Sequence, residues 1–252
     1  MARIFITGSA DGLGQMAARW LVDQKHQVVL HARDERRARE AIASVPGAED
    51  VLVGDLSHRD EVKQLAERAN AAGPFDAVIH NAGVYRASGE QLLAVNTLAP
   101  YILTCLVKKP RRLIYIASGM HLQGDPDLAK MTIRSAKVSY SDSKLLVVLL
   151  SKAVARRWPD VYVNAVDPGW VATKMGGSDA PDDLAQGFET QGWLAVSDDA
   201  AAKVTGRYLH HKKTMGHHPA ADDLKLQDDF LATCEQVTGV VFPKHSTENE
   251  RE

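Results

Sequence analysis

Short runs rich in β-branched residues recur along the chain. Each is followed by a longer stretch in which apolar positions return every three or four residues. The runs Arg3–Thr7, Gln27–His31, Asp50–Gly54, Ala77–His80, Arg112–Ala117 and Val161–Val166 read as strands, and a last strand includes Arg207–Leu209. Most are continuous rather than alternating, the pattern of strands covered on both faces. The helical period predicts helices over Leu13–Asp23, Glu35–Ser44, Asp60–Ala71, Thr97–Val107 and Tyr140–Arg157. Further helices are predicted over Asp182–Gln191, Asp198–Thr205 and Asp222–Thr238. Strand and helix alternate throughout, so the predicted fold class is α/β: one domain, a doubly wound parallel sheet with helices on both faces. No repeat or linker divides residues 1–243, and the polar segment 244–252 reads as a disordered tail.

Bulk properties narrow the function classes. A chain of 252 residues buries one substantial core. Its net charge of −2 carries no electrostatic footprint for nucleic acid, and the basic stretch Arg33–Arg39 is broken by Asp34 and Glu35. Cys105 and Cys234 are the only cysteines, too few for a disulfide framework. Strand one starts at once, leaving no room for a signal peptide, and the longest apolar run, Leu145–Leu150, is too short to span a bilayer. A cytoplasmic protein without a nucleic-acid or membrane partner is expected. His210-His211 and His217-His218 are adjacent pairs separated by lysines, without a completing Cys or acidic cluster, so no metal site is expected.

Two motifs carry chemistry. After the first strand comes Thr7-Gly8-Ser9-Ala10-Asp11-Gly12-Leu13-Gly14, then a helix start. Strand, glycine loop and helix N-terminus suit the pyrophosphate of a dinucleotide, although the spacing is G-x-x-x-G-x-G. Far downstream stands Tyr140-Ser141-Asp142-Ser143-Lys144. A Tyr and a Lys four residues apart share one helix face. An ammonium nearby stabilises tyrosinate and makes the phenol a usable proton donor or acceptor.

These pieces and their order resemble the short-chain dehydrogenase/reductase family. The matching residues are Thr7-Gly8 with Gly12 and Gly14; Asp55-Leu56; Asn81-Ala82-Gly83; Asn96; Ser118; Tyr140 with Lys144; and Pro168-Gly169 with Thr173. Within the family, Ser118-Gly119-Met120-His121, the Gly206-Arg207-Tyr208 segment and Pro219 look most like the retinol-dehydrogenase-like branch and related bacterial ketoreductases. The resemblance implies a Rossmann-like fold and reversible hydride transfer between a nicotinamide and a carbonyl/alcohol pair. It implies a catalytic set in which Tyr140 exchanges the proton and Ser118 binds the same substrate oxygen. Lys144 would lower the Tyr140 pKa and hold the ribose, and Asn96 would support a proton path to Lys144. Cofactor contacts would come from Thr7, Gly8, Gly12, Leu13, Gly14, Asp55, Leu56, Asn81, Ala82, Gly83, Tyr140, Lys144, Pro168, Gly169, Val171 and Thr173. Asn81 also reads as a structural residue at a strand end.

The end of strand two reads His31-Ala32-Arg33-Asp34. Arg33 suits a 2′-phosphate, so NADP (NADPH) is favoured and NAD stays open, since Asp34 is placed to approach a ribose. The implied function is interconversion of a carbonyl and an alcohol on a small-to-medium, apolar or aromatic substrate. Met120, Leu122, Trp170 and Trp193 are candidate pocket residues. A catalytically silent dinucleotide-binding protein and an epimerase on the same scaffold are the alternatives. The helix excursion between Asn81 and Asn96 reads as shortened. The segment between Ser118 and Tyr140 is long, and is expected to form a mobile pocket wall. The six apolar residues Leu145–Leu150 exceed one helix face, which suggests a homodimer.

Overall fold

The computed structural model describes residues 1–132 and 137–243. Strands β1 (Arg3–Ile6), β2 (Gln27–Ala32), β3 (Asp50–Val53), β4 (Ala77–His80), β5 (Arg112–Ile116), β6 (Tyr162–Asp167), β7 (Arg207–His210) and β8 (Lys213–Thr214) form one sheet. Its order is β3-β2-β1-β4-β5-β6-β7-β8. The pairs from β1 to β7 are parallel, and β8 turns back antiparallel on β7. The chain winds one way from β1 to β3 and then returns to place β4 on the other side of β1. Ligands bind beyond the carboxyl ends of the strands at such a reversal.

Helices cover both faces. They are α1 (Gly12–Asp23), α2 (Glu35–Ser44), α3 (Arg59–Ala72), α4 (Gly89–Leu93), α5 (Ala99–Leu106), α6 (Ala129–Thr132), α7 (Tyr140–Arg157), α8 (Leu184–Val196) and α9 (Leu224–Thr238). The strands are buried on both sides, as their continuous apolar runs require: Ile4, Ile6, Val28, Leu30 and Ile79 pack under α1 and α8, while Phe5, Val29, Val78, Leu113 and Tyr115 pack with α3, α5 and α7.

Packing bears on four expectations, and overturns one of them. The helix expected over Asp198–Thr205 is a series of turns. There the Asn164 amide donates to the Val204 carbonyl and Thr205 Oγ1 to the Val161 carbonyl, drawing the chain toward the sheet edge. The excursion after Asn81 keeps a helix, α4, which continues into α5 through a π-helical turn at Ala94–Leu98. Leu145–Leu150 are buried within this one chain, because α7 lies between the sheet and α9; the apolar run therefore does not itself call for a second subunit. The long segment after Ser118 is tied down over its described part. Asp125 N–H donates to Asp142 Oδ1 at 2.8 Å, and Lys130 reaches Asp142 at 3.0 Å and Asp125 at 2.9 Å. These bonds tie the described part of the segment to the start of α7. Residues 133–136 of that segment and the tail 244–252 lie outside the described residues. Among the described residues, no helix is long and apolar enough to cross a membrane, and no His, Cys, Asp and Glu cluster could hold a metal.

Candidate active site

The glycine loop is shaped by close approach. Gly8 has φ +63°, and a Cβ there would lie 2.7 Å from Ala82 Cα. A Cβ on Gly14 would fall onto the Asn81 side-chain amide and within 2.7 Å of the Gly8 carbonyl. Both positions need glycine. The Asn81 amide donates to the carbonyls of Thr7 and Gly8 at 3.0 and 3.1 Å. Thr7 Oγ1 accepts from Ala82 N–H at 3.1 Å. Asn81 and Thr7 thus staple β1 to β4 and set the loop's course, the structural role that the sequence also allowed for Asn81.

His31 braces the loop, a role sequence reasoning missed. Its Nδ1 accepts Gly8 N–H at 2.9 Å and its Nε2 meets the Gly54 carbonyl at 2.8 Å. Burial pulls its pKa down to about 4, which keeps the ring neutral and fixes the tautomer with Nε2–H. Asp11 stands at the N-cap of α1 without a side-chain bond to the helix. Its carboxylate pairs with Arg37 and, at 3.3 Å, with Lys174. The first-turn N–H groups of α1, which an α-helix leaves without partners, face the loop.

At the end of β2, Arg33 is exposed at 68% of its side chain, with Asp34 at 3.3 Å. Asp34 caps α2 by accepting Arg37 N–H at 2.8 Å, so its carboxylate already has a structural partner. Asp55 turns onto Ser57, accepting from its N–H and hydroxyl at 2.8 and 2.7 Å. Leu56 is buried in the core. Across the strand ends, Gly169 has φ +80° and donates to Asp167 Oδ1, while Val171 is buried and Thr173 Oγ1 accepts from Gly176 N–H.

The four expected catalytic residues meet at the carboxyl ends of β4 and β5. Ser118 ends the turn out of β5, and Tyr140 opens α7, where Ser139 and Asp142 form a capping box. The Ser118 hydroxyl stands near enough to the Tyr140 hydroxyl to favour its ionised form. Lys144 is buried, its Nζ donating to the Ile116 carbonyl at 2.8 Å and lying 5.6 Å from the Tyr140 ring centre. Asn96 sits in the π-helical turn; its Oδ1 accepts Val84 N–H and its Nδ2 donates to the Val84 carbonyl and to Ser143 Oγ. A Cβ on Gly83 would lie 3.4 Å from both Asn96 Oδ1 and Lys144 Nζ, which places these two polar groups together at the end of β4.

The electrostatics differ from the expectation. Tyr140 is not depressed: burial pushes its pKa up to about 12, the nearby Ser118 hydroxyl opposes this, and Asp167 and Tyr85 add to it. Burial pulls Lys144 down to about 8, against the raising effect of Asp167. At neutral pH both groups therefore hold their protons. The arrangement offers a buried phenol O–H beside a serine hydroxyl, able to donate a proton to an oxygen placed between them.

Tyr85 packs edge-on against Tyr140 with ring centres 4.7 Å apart. Met120, Leu122, Trp170 and Met175 form an exposed apolar group in the loops that follow β5 and β6. Trp193 does not belong to it; it packs with the α1 and α8 core and bonds Asp199 through Nε1. His121 is buried rather than a surface imidazole, with Nδ1 on the Ser118 carbonyl and Nε2 accepting His218 N–H.

The family model described as short chain dehydrogenase matches residues 2–184. The chain belongs to that family. It is an oxidoreductase of the short-chain dehydrogenase/reductase type, a family that uses NAD(P). It is 46% identical to the short-chain dehydrogenase chyC of Penicillium rubens over 96% of this chain and 100% of that protein. A crystal structure of an uncharacterised Mycobacterium paratuberculosis protein superposes with TM-score 0.81 and 25% identity, covering 96% of this chain and 95% of the other. A blue fluorescent protein from a metagenomic library, solved in complex with NADPH, shares the fold at TM-score 0.68 and 21% identity over 82% and 95% of the two chains. The expected retinol-dehydrogenase and ketoreductase likeness is distant. Human retinol dehydrogenase 13 is 24% identical over 95% of this chain and 85% of its own length. A Streptomyces protein named as a daunorubicin C-13 ketoreductase, DnrU, is 29% identical over 87% and 86%.

Proposed function

We propose that the protein is an NADP(H)-dependent carbonyl reductase or alcohol dehydrogenase acting on a small-to-medium apolar or aromatic substrate. The observation that carries this reading is the convergence of Ser118, Tyr140 and Lys144 beyond the strand ends, at the same end of the sheet as the glycine loop after β1. The loop fits a dinucleotide: Gly8 and Gly14 let it pack tightly against the end of β4, Gly12 at φ +56° faces open space, and the uncapped start of α1 favours a pyrophosphate.

Gly8, Gly12, Leu13 and Gly14 would hold the pyrophosphate, and Asp55 and Leu56 would flank the adenine. Asn81, Ala82 and Gly83, with Pro168, Gly169, Val171 and Thr173, would border the nicotinamide half. The exposed guanidinium of Arg33, against an Asp34 already engaged as a cap, supports preference for a 2′-phosphate. The bound nicotinamide supplies or accepts the hydride.

The protein manages the proton. In reduction, Ser118 Oγ and Tyr140 O–H both point hydrogen bonds at the carbonyl oxygen, and Tyr140 donates its proton as negative charge develops there. A phenol held above neutral in pKa is in the form this step needs. Lys144, protonated below about pH 8, holds the ribose and lies near enough to Tyr140 to stabilise the tyrosinate left behind. Asn96, fixed by both polar groups of Val84, keeps its turn open toward Lys144. The exposed apolar side chains of Tyr85, Met120, Leu122 and Trp170 support an apolar or aromatic substrate body.

The test is turnover of NADPH and NADH with quinones, aromatic ketones and diketones. Oxidation of NADPH with at least one carbonyl class, lost in Tyr140→Phe, is expected. No turnover with any of them in a protein that binds NADPH would refute the reading.

A further inference from the structure

His121 stands three residues after Ser118 and has no part in the roles assigned above. Ser118 caps a 3₁₀ turn over Gly119–Gln123, its hydroxyl accepting Met120 N–H at 3.3 Å. The Ser118 carbonyl accepts His121 N–H at 3.0 Å and also meets His121 Nδ1 at 2.8 Å. At the other edge of the ring, Nε2 meets His218 N–H at 3.2 Å. A main-chain N–H can only donate, so Nε2 offers its lone pair. The ring proton is then on Nδ1 and is donated to the Ser118 carbonyl. Both bonds exist together in this tautomer alone, since the other would set two hydrogens face to face at His218. The ring is fully buried and packs on Tyr208 with ring centres 4.5 Å apart. Burial holds its pKa below the ordinary imidazole value, which agrees with a neutral ring.

The far end of this bridge is itself fixed. His218 opens the 3₁₀ turn Pro219–Asp222, where its own Nδ1 accepts Ala220 N–H at 3.2 Å. That turn is bound to the rear half of α7. Lys152 pairs with Asp222 at 2.9 Å. Gln227 donates to the Ala221 carbonyl at 2.8 Å and accepts from Arg156 Nε at 2.9 Å. Ala221 is buried in the core. The start of α7 holds Tyr140, and Gly124 closes the Ser118 turn against it: a Cβ on Gly124 would lie 2.7 Å from the Ser141 carbonyl oxygen. Ser118 therefore hangs between two attachments to the helix that carries Tyr140. One follows it directly along the chain. The other reaches it through the imidazole of His121, from a residue 97 positions further on.

We propose that His121 is a positioning residue for the reaction: its ring bridges the Ser118 carbonyl to the segment before α9 and so fixes the Ser118 hydroxyl relative to Tyr140. The inference rests on the reading of Ser118 and Tyr140 as partners of one substrate oxygen. Two hydroxyls meet a single oxygen only while the turn and the helix keep their separation, and a displacement of about 1 Å costs up to about a hundredfold in rate. The two bonds act in series, so cutting either end releases the turn. His121→Asn keeps a donor where Nδ1 stands and loses the His218 end. His121→Gln keeps an acceptor where Nε2 stands and loses the Ser118 end.

The first arm of the experiment needs no turnover. In the full chain labelled with ¹⁵N-histidine, the His121 ring signals are assigned by their loss in His121→Asn. A ring protonated on Nδ1 alone is expected at neutral pH, and a proton on Nε2 overturns the bridge. Backbone hydrogen exchange over Gly119–Gly124 should quicken about tenfold in both variants, with urea unfolding showing that each is folded. Exchange unchanged in both, or quickened in only one, overturns the proposal. His218→Pro cuts the same end as the Asn variant without touching His121 and serves if that variant does not fold, since φ at His218 is −59°, as proline requires. In the second arm, turnover with NADPH, both variants should lower kcat by about tenfold or more and leave the KM for NADPH in place. In Ser118→Ala protein the same changes should cost less than about twofold, because no hydroxyl is left to position. Equal losses with and without the Ser118 hydroxyl would make His121 a general structural residue and overturn the proposal. A wild-type protein that reduces no carbonyl would refute the proposed function, while the first arm still decides whether His121 holds the turn.

Discussion

Replacing Lys144 by Met should change stability in a pH-dependent way that can be worked out from its burial. The side chain is 4% exposed, and its pKa falls from the ordinary 10.5 to about 8 because burial disfavours the ammonium. A gap of that size, at about 1.36 kcal/mol per unit, corresponds to roughly 3 kcal/mol of native-state destabilisation while both folded and unfolded chains hold the proton. The sign follows from proton counts. Below about pH 8 the penalty is fully present. Between pH 8 and 10.5 the unfolded chain binds more protons than the native one, so raising the pH stabilises the native protein. Above 10.5 the penalty has gone.

Lys144→Met removes the penalty but leaves the Ile116 carbonyl without its donor, which costs about 1–3 kcal/mol at every pH. The net difference at pH 7 is therefore small. Its change with pH is not: between pH 7 and pH 10 the wild type should gain about 2.5 kcal/mol relative to Lys144→Met. Urea unfolding of both proteins at several pH values measures this, and the m-values check that the same surface is exposed. Parallel stability curves over this range would refute the claim that a buried, depressed ammonium sits beneath Tyr140. The expected divergence of the two curves would also show that the charge is retained at the expense of stability, as at many functional sites.

The other predictions concern the same site. Tyr140→Phe should lower reductase activity by roughly a hundredfold or more with NADPH binding retained, and near-normal turnover in a folded variant would remove Tyr140 from the mechanism. Arg33→Ala should weaken NADPH binding by about 1.5–3 kcal/mol and NADH binding much less, as read by fluorescence titration; equal losses would contradict 2′-phosphate recognition. His31→Ala takes the partners from Gly8 N–H and the Gly54 carbonyl, so unfolding should become easier by about 2 kcal/mol, with weaker dinucleotide binding; an unchanged midpoint in urea would show that His31 is no brace. Gly14→Ala should abolish dinucleotide binding, because its Cβ would occupy the position of the Asn81 amide, and a variant titrating like the wild type would mean that the loop yields without cost.

The sequence by itself determined the alternation of strand and helix, the class of fold and which residues to seek at the candidate site. Hydrophobic period reports local burial, so β4 and the bounds of α2 and α7 agree with expectation. Thr7, the glycines, Asn96, Ser118, Tyr140 and Lys144 were legible because their order along the chain is itself a pattern. The tertiary structure decided what depends on distance between segments remote in sequence. Asp198–Thr205 has helical composition, yet bonds from Asn164 and Thr205 draw it to the sheet. Leu145–Leu150 ask for cover on two sides, and only the placement of α9 shows that this chain supplies it. Trp193 has the chemistry of a pocket wall but lies on the α8 face toward α1. His31 and Arg37 carried no signal along the chain, since each acts on residues more than twenty positions away. The pKa of Tyr140 was misjudged for the same reason. The four-residue spacing to Lys144 was visible in sequence, whereas the burial that raises the Tyr140 pKa exists only once β5, β6 and α7 are packed together.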